Sequence, residues 1–187
     1  MQFGIVERYG MSSLEKRIEI ILSNLRSFER ILKGCEMSLS AKIYDTREYN
    51  RRRGFDDIGI RIKNCNLNDP TSGPAISRED ICIAIRDGDW MTALKGADDI
   101  NEYRWKILTI SRMWTDYYIV KGAVESLGDN EYSLFWNYEK YNGDKQKLAD
   151  VMGVSVDALR ARVYRVKRSV KDCVIQEIER DHNYKCA

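Results

Sequence analysis

Met11, Leu14, Ile18, Ile21, Leu25, Phe28, Leu32, Cys35 and Leu39 follow one another at intervals of 3, 4, 3, 4, 3, 4, 3 and 4 residues. In a helix that spacing puts all nine on a single stripe, the a/d register of a heptad repeat. It predicts a helix from Ser13 to about Leu39, with Ser12 or Ser13 supplying the side-chain oxygen that accepts a first-turn N–H. A stripe this regular must be covered. Two copies can cover it as a coiled coil, which makes the chain a homodimer through residues 11–39. A later helix of the same chain can also cover it, the commoner outcome for a helix of this length.

Such a helix is predicted to start at Asp98 or Asp99 and to run to about Ser126. Ile100, Tyr103, Ile107, Ile110, Trp114, Tyr117 and Val124 share its apolar face, with Leu108, Tyr118 and Leu127 broadening it. Trp105 and Trp114 read as packing residues rather than a cofactor box. Just upstream, Ser77 caps a shorter helix whose first turn holds Glu79 and Asp80, where carboxylates oppose the helix dipole favourably. Ile81 and Ile85, with Ile76, give that helix an apolar face, and Gly88 ends it.

Helical periodicity fades after about Asn50. From Lys42 to Lys63, basic residues including Arg51, Arg52 and Arg53 are interleaved with Tyr44, Tyr49 and Phe55. Basic and aromatic side chains together can grip a nucleic-acid backbone, which makes these three arginines accessory DNA contacts. A solvated linker explains the same composition equally well. Ile58, Ile60 and Ile62 alternate as in a short extended segment, and residues 64–76 hold both prolines, Pro70 and Pro74, and must turn. The expected divisions are 1–63, a loop over 64–76, a central helical domain over 77–127, and a terminal domain over 128–187.

The terminal domain carries the most specific pattern. Gly128-Asp129-Asn130 interrupts the chain, and a helix from Glu131 to Lys140 bears Leu134, Phe135 and Tyr138, followed by Tyr141. Asp144 then caps a short helix, Met152-Gly153-Val154 turns, and Ser155 caps a second helix. Gly153 sits where positive φ is needed. Leu148, Ala149 and Val154 would pack on Leu159 and Val163, which is the arrangement of a helix-turn-helix. Leu159, Val163, Val166 and Val170 form the inner stripe of the second helix. At about 100° per residue, Asp157, Ala158, Ala161, Tyr164, Arg165 and Arg168 point away from it, flanked by Arg160, Arg162, Lys167 and Lys171. The start of this helix is small enough to enter a major groove, and its later turns are basic enough to follow phosphates. Charge runs are usually just solvated faces, but here caps, turn and two-faced helix agree on double-stranded DNA as the partner.

LADVMGVSVDALRARVYRVKRSV resembles the helix-turn-helix of sigma-factor region 4 and its relatives. Across the chain, the order of long first helix, loop with Asp69-Pro70-Thr71, central helices and terminal unit is similar to RinA/ArpU-type phage late-gene transcription activators. The resemblance implies a DNA-binding activator of phage or prophage genes in the bacterial cytoplasm, with RNA polymerase a further partner. Ser155 and the helix start would fix a phosphate; Asp157, Ala158, Ala161 and Arg162 would lie nearest the bases; Arg160, Tyr164, Arg165, Lys167 and Arg168 nearest the backbone. Two other classes fit the same parts: a small-terminase-like packaging adaptor, and a helical module that touches RNA polymerase without DNA.

Composition excludes most chemistry. Nucleotide-loop and nucleophile-elbow motifs are missing, and the lone histidine, His182, lies in the polar tail. Five cysteines are scattered without a C-x-x-C pair, which argues against both a zinc site and a disulfide framework. The expectation is an all-α protein that is not an enzyme and holds no cofactor or metal. No 18-residue apolar run exists, so no membrane span is expected, and the opening residues do not read as a secretory signal. With a net charge of only +2, affinity for DNA must come from a local patch.

Overall fold

The structure, a computed structural model, describes residues 3–56, 77–98, 100–141 and 144–185, with the side chains of residues 3, 51–56 and 181–185 outside the description. Among the described residues there are eight helices and no strand: α1 Phe3–Gly10, α2 Leu14–Asp56, α3 Arg78–Asp87, α4 Trp90–Ala93, α5 Ile100–Glu125, α6 Asp129–Lys140, α7 Lys145–Val151 and α8 Val156–Lys185. The fold is all-α, as expected. No helix among the described residues is long and apolar enough to cross a membrane. The extended segment expected at Ile58, Ile60 and Ile62 and the loop over 64–76 lie outside the described residues, as do the side chains of Arg51, Arg52, Arg53 and His182.

The chain forms two compact units, one from residues 1–10 and 29–114, the other from 11–28 and 115–187. These do not follow the linear divisions expected from composition. The reason is helix length: α2 and α5 each contribute one part to the first unit and another to the second.

In the first unit, Leu32, Cys35, Leu39 and Ile43 of α2 are buried together with Ile81 and Ile85 of α3 and Ile107 and Ile110 of α5. Glu36, buried among them, accepts from Arg86 Nε at 3.0 Å and Nη2 at 2.8 Å, and also from Trp114 Nε1. Helix α3 is bounded by local chemistry. Ser77 Oγ accepts from Asp80 N while Asp80 accepts from Ser77 N, a capping box that holds the Asp80 carboxyl below its ordinary value. At the other end Gly88, at φ 75°, lets Asp89 N reach Ala84 O and Gly88 N reach Ile85 O.

Helix α2 is longer than the repeat implied and ends at Asp56 instead of near Leu39. Its added turns are held by partners far along the chain. Arg47 Nη2 donates to the carbonyls of Thr92 at 2.9 Å and Ala93 at 2.8 Å, and Arg78 pairs with Asp45 at 3.4 Å and lies over the Tyr44 ring. Arg47 and Tyr44 therefore tie this end of α2 to α4 and α3. Helix α1, which the apolar periodicity does not announce, buries Val6 and Tyr9. Its last residue, Gly10, lies so close to the Trp105 ring that a Cβ there would sit 2.5 Å from the indole.

In the second unit, Ile18, Ile21, Leu25 and Phe28 of α2 are buried with Tyr117, Val120 and Val124 of α5, and the rings of Phe28 and Tyr117 lie 5.7 Å apart. Arg17 pairs with Asp116 at 3.3 Å. The a/d stripe from Ile18 to Leu39 is thus buried within one chain, and the intramolecular alternative holds over a coiled coil through it. Met11 does not belong to the stripe: it precedes the helix and is 85% exposed. Nor do Leu108 and Tyr118 widen the inner face of α5, since both are exposed; the buried face is narrower and includes Met113 and Val120.

Candidate nucleic-acid interface

The last three helices build the site from the inside outward. Asp144 caps α7 by accepting from Lys147 N at 3.0 Å. Gly153, at φ 62°, then lets Val154 N bond Ala149 O at 3.0 Å and Gly153 N bond Asp150 O at 3.1 Å. This pair of bonds is the Schellman closure, and the left-handed residue it needs is a glycine because a side chain there meets its own carbonyl. Ser155 Oγ accepts from Ala158 N at 3.2 Å and starts α8. Both ends of the turn are thus closed by their own side chains or backbone.

Leu148 and Ala149 of α7 and Leu159, Val163 and Val166 of α8 are buried, along with Leu134 and Phe135 of α6. Val170 and then Val174 carry the inner stripe of α8 onward. The three helices touch one another pairwise. Burying that stripe fixes the rotation of α8, because a helix has one apolar face to satisfy.

The opposite face is therefore exposed. Asp157, Ala158, Arg160, Ala161, Arg162, Tyr164, Arg165 and Arg168 are all exposed, as is Ser155, and Tyr164 is 66% exposed. Their polar partners lie within a turn on α8 itself: Arg160 with Asp157 at 3.5 Å, Arg165 Nε with the Ala161 carbonyl at 3.4 Å, Arg168 with Asp172 at 3.9 Å. Contacts of that length and exposure are weak and exchange readily for a phosphate. Arg162 and Arg165 also stand on the rim of an open groove of about 850 Å³ between α6, α7 and α8, which exposes Val151 and Met152.

Lys167 behaves differently from its neighbours. Its Nζ is 2.8 Å from Glu139 Oε1 of α6, and it lies over the rings of Phe135 and Tyr138. With the Lys side chain 31% exposed and the Glu side chain 15%, this pair is part of the packing between α6 and α8. Lys171 is also engaged: it bridges Glu19 at 2.8 Å and Glu15 at 3.1 Å, and those carboxylates raise its pKa above the usual lysine range. Sequence periodicity places Lys167 and Lys171 on the flanks of the basic face but carries no sign of Glu139, Glu15 or Glu19. Opposite charges at long separation leave no periodic trace.

Among the described residues no group of three His, Cys, Asp or Glu side chains is placed to hold a metal ion. Of the cysteines described, Cys35 is buried, and burial with Glu36 beside it pushes its thiol up to about 11. Comparison with known protein families, curated proteins and solved structures finds no match to this chain.

Proposed function

We propose that the protein is a sequence-specific DNA-binding transcriptional regulator, an activator of phage or prophage late genes, with α8 as its recognition helix. The observation that carries this reading is the exposed face of α8. Four arginines and a tyrosine project from a helix whose rotation is fixed by buried valines, and which is preceded by a capped turn. Ala158 and Ala161 keep the first turns slim enough for close approach to base edges, with Arg162 and Asp157 beside them. Arg160, Tyr164, Arg165 and Arg168 face the backbone, and Ser155 retains its hydroxyl proton for a phosphate oxygen while its lone pair caps the helix. Lys167 belongs to the packing instead.

The test is a duplex selected by the protein from a random library, followed by binding to that duplex over a range of salt. Arg165→Ala combined with Arg168→Ala should weaken binding to every sequence and flatten the slope of log K against log salt by about 0.9 for each phosphate no longer neutralised. A slope equal to that of the wild type excludes this helix as the contact.

A further inference from the structure

At the far end of the same basic face lies a cleft of about 350 Å³ between the start of α2 and the middle of α8, both within the second unit. Tyr164, Arg168 and Lys171 line it from α8, Glu15 and Glu19 from α2. Glu15 and Glu19 are four residues apart on one helix face and present two carboxylates side by side. Lys171 Nζ meets both, at 3.1 and 2.8 Å. The lysine side chain is only 21% exposed, whereas the glutamates are 67% and 60% exposed. Most of the lysine side chain is thus covered, and what faces solvent beside Arg168 is carboxylate: Glu15, Glu19 and Asp172, the last 3.9 Å from Arg168.

We infer that Glu15 and Glu19 are an internal stand-in for DNA phosphates: in the free protein they hold Lys171 at the end of the basic face, and bound DNA takes their place. This rests on the reading of α8 as the DNA-contacting helix. A phosphate that reaches Arg168 and Tyr164 enters the cleft in which Lys171 sits and competes with the carboxylates for the same cation. The two pairs are solvent-facing on the glutamate side, so each is weak and the clasp is a bias against binding rather than a lock. Its cost is the same for every duplex that reaches Lys171, so weak encounters with unrelated DNA are the first to fall below occupancy.

The experiment uses the full chain and an unrelated duplex, titrated over a range of sodium chloride, with four proteins: wild type, Glu15→Gln with Glu19→Gln, Lys171→Gln, and all three changes together. Neutralising both glutamates should raise affinity about three- to tenfold and steepen the salt slope by about one released ion. In the Lys171→Gln background the gain should disappear, because the carboxylates act through that lysine. A gain of equal size with and without Lys171 would mean only that negative charge near DNA has been removed, and overturns the clasp; so does the absence of any gain. The Arg165→Ala, Arg168→Ala protein, run alongside, separates the two levels. If it binds more weakly while the glutamine pair has no effect, the clasp alone fails; if it binds as wild type does, the DNA reading fails with it.

Discussion

Arg86→Met removes the cation from a carboxylate that has been taken almost entirely out of water. The Glu36 side chain is 3% exposed and accepts two hydrogen bonds from Arg86, at 2.8 and 3.0 Å, beside the one from Trp114. Breaking a fully buried ion pair from one side costs about 3–5 kcal/mol, because the remaining charge is stranded. Arg86 is itself 44% exposed, which lets water into part of the space it leaves and brings the expected cost down to about 2–3 kcal/mol. In a chain of this size that lowers the thermal midpoint by about 4–12 °C. Urea unfolding followed by far-ultraviolet circular dichroism measures it directly. The sharper check is a second substitution. Glu36→Gln in the Arg86→Met protein keeps an oxygen for Trp114 and deletes the stranded charge, so the double variant should be more stable than Arg86→Met alone. A double variant as unstable as the sum of its two single changes would refute the reasoning, as would an Arg86→Met protein within about 0.5 kcal/mol of wild type.

Two further outcomes follow from the terminal unit. Lys167→Gln should lower stability by about 1 kcal/mol in the same urea assay, since it loses the half-buried pair with Glu139; its salt slope for DNA should stay near that of wild type, in contrast to Arg165→Ala with Arg168→Ala. Gly153→Ala should cost about 1–2 kcal/mol by thermal melting although no atom lies within 4 Å of the added Cβ, because the strain of φ 62° is in the backbone alone. Gly153→Asn should cost less, since asparagine tolerates that region better.

Much of the candidate interface is legible in the order of residues, because it is made of rules that act over four or five positions. A short polar side chain before a helix caps it, as Ser77, Asp144 and Ser155 do. A glycine takes the left-handed position, as Gly88 and Gly153 do. Apolar residues at helical spacing find the core, as the stripe from Ile18 to Leu39 and the valines of α8 do. The reading fails where the deciding group is remote. Past Leu39 the apolar signal thins to Ile43, and the remaining turns of α2 are anchored by Arg47 reaching carbonyls 45 and 46 residues away. Leu108 and Tyr118 look as apolar as Ile107 and Tyr117 but sit one position round the helix, on its exposed side.

By itself, then, the sequence determines the helices of the terminal unit, the turn between the last two and the face of α8 that must be hidden, because caps, left-handed glycines and amphipathic spacing are local properties. Only the tertiary structure decides what each cation on that helix is for. Lys167 meets Glu139 from 28 residues away and Lys171 meets Glu15 from 156 residues away, while Arg165 and Arg168 are left to the solvent. Charge pairing depends on separation in space, and the chain sets that separation only once its helices have packed.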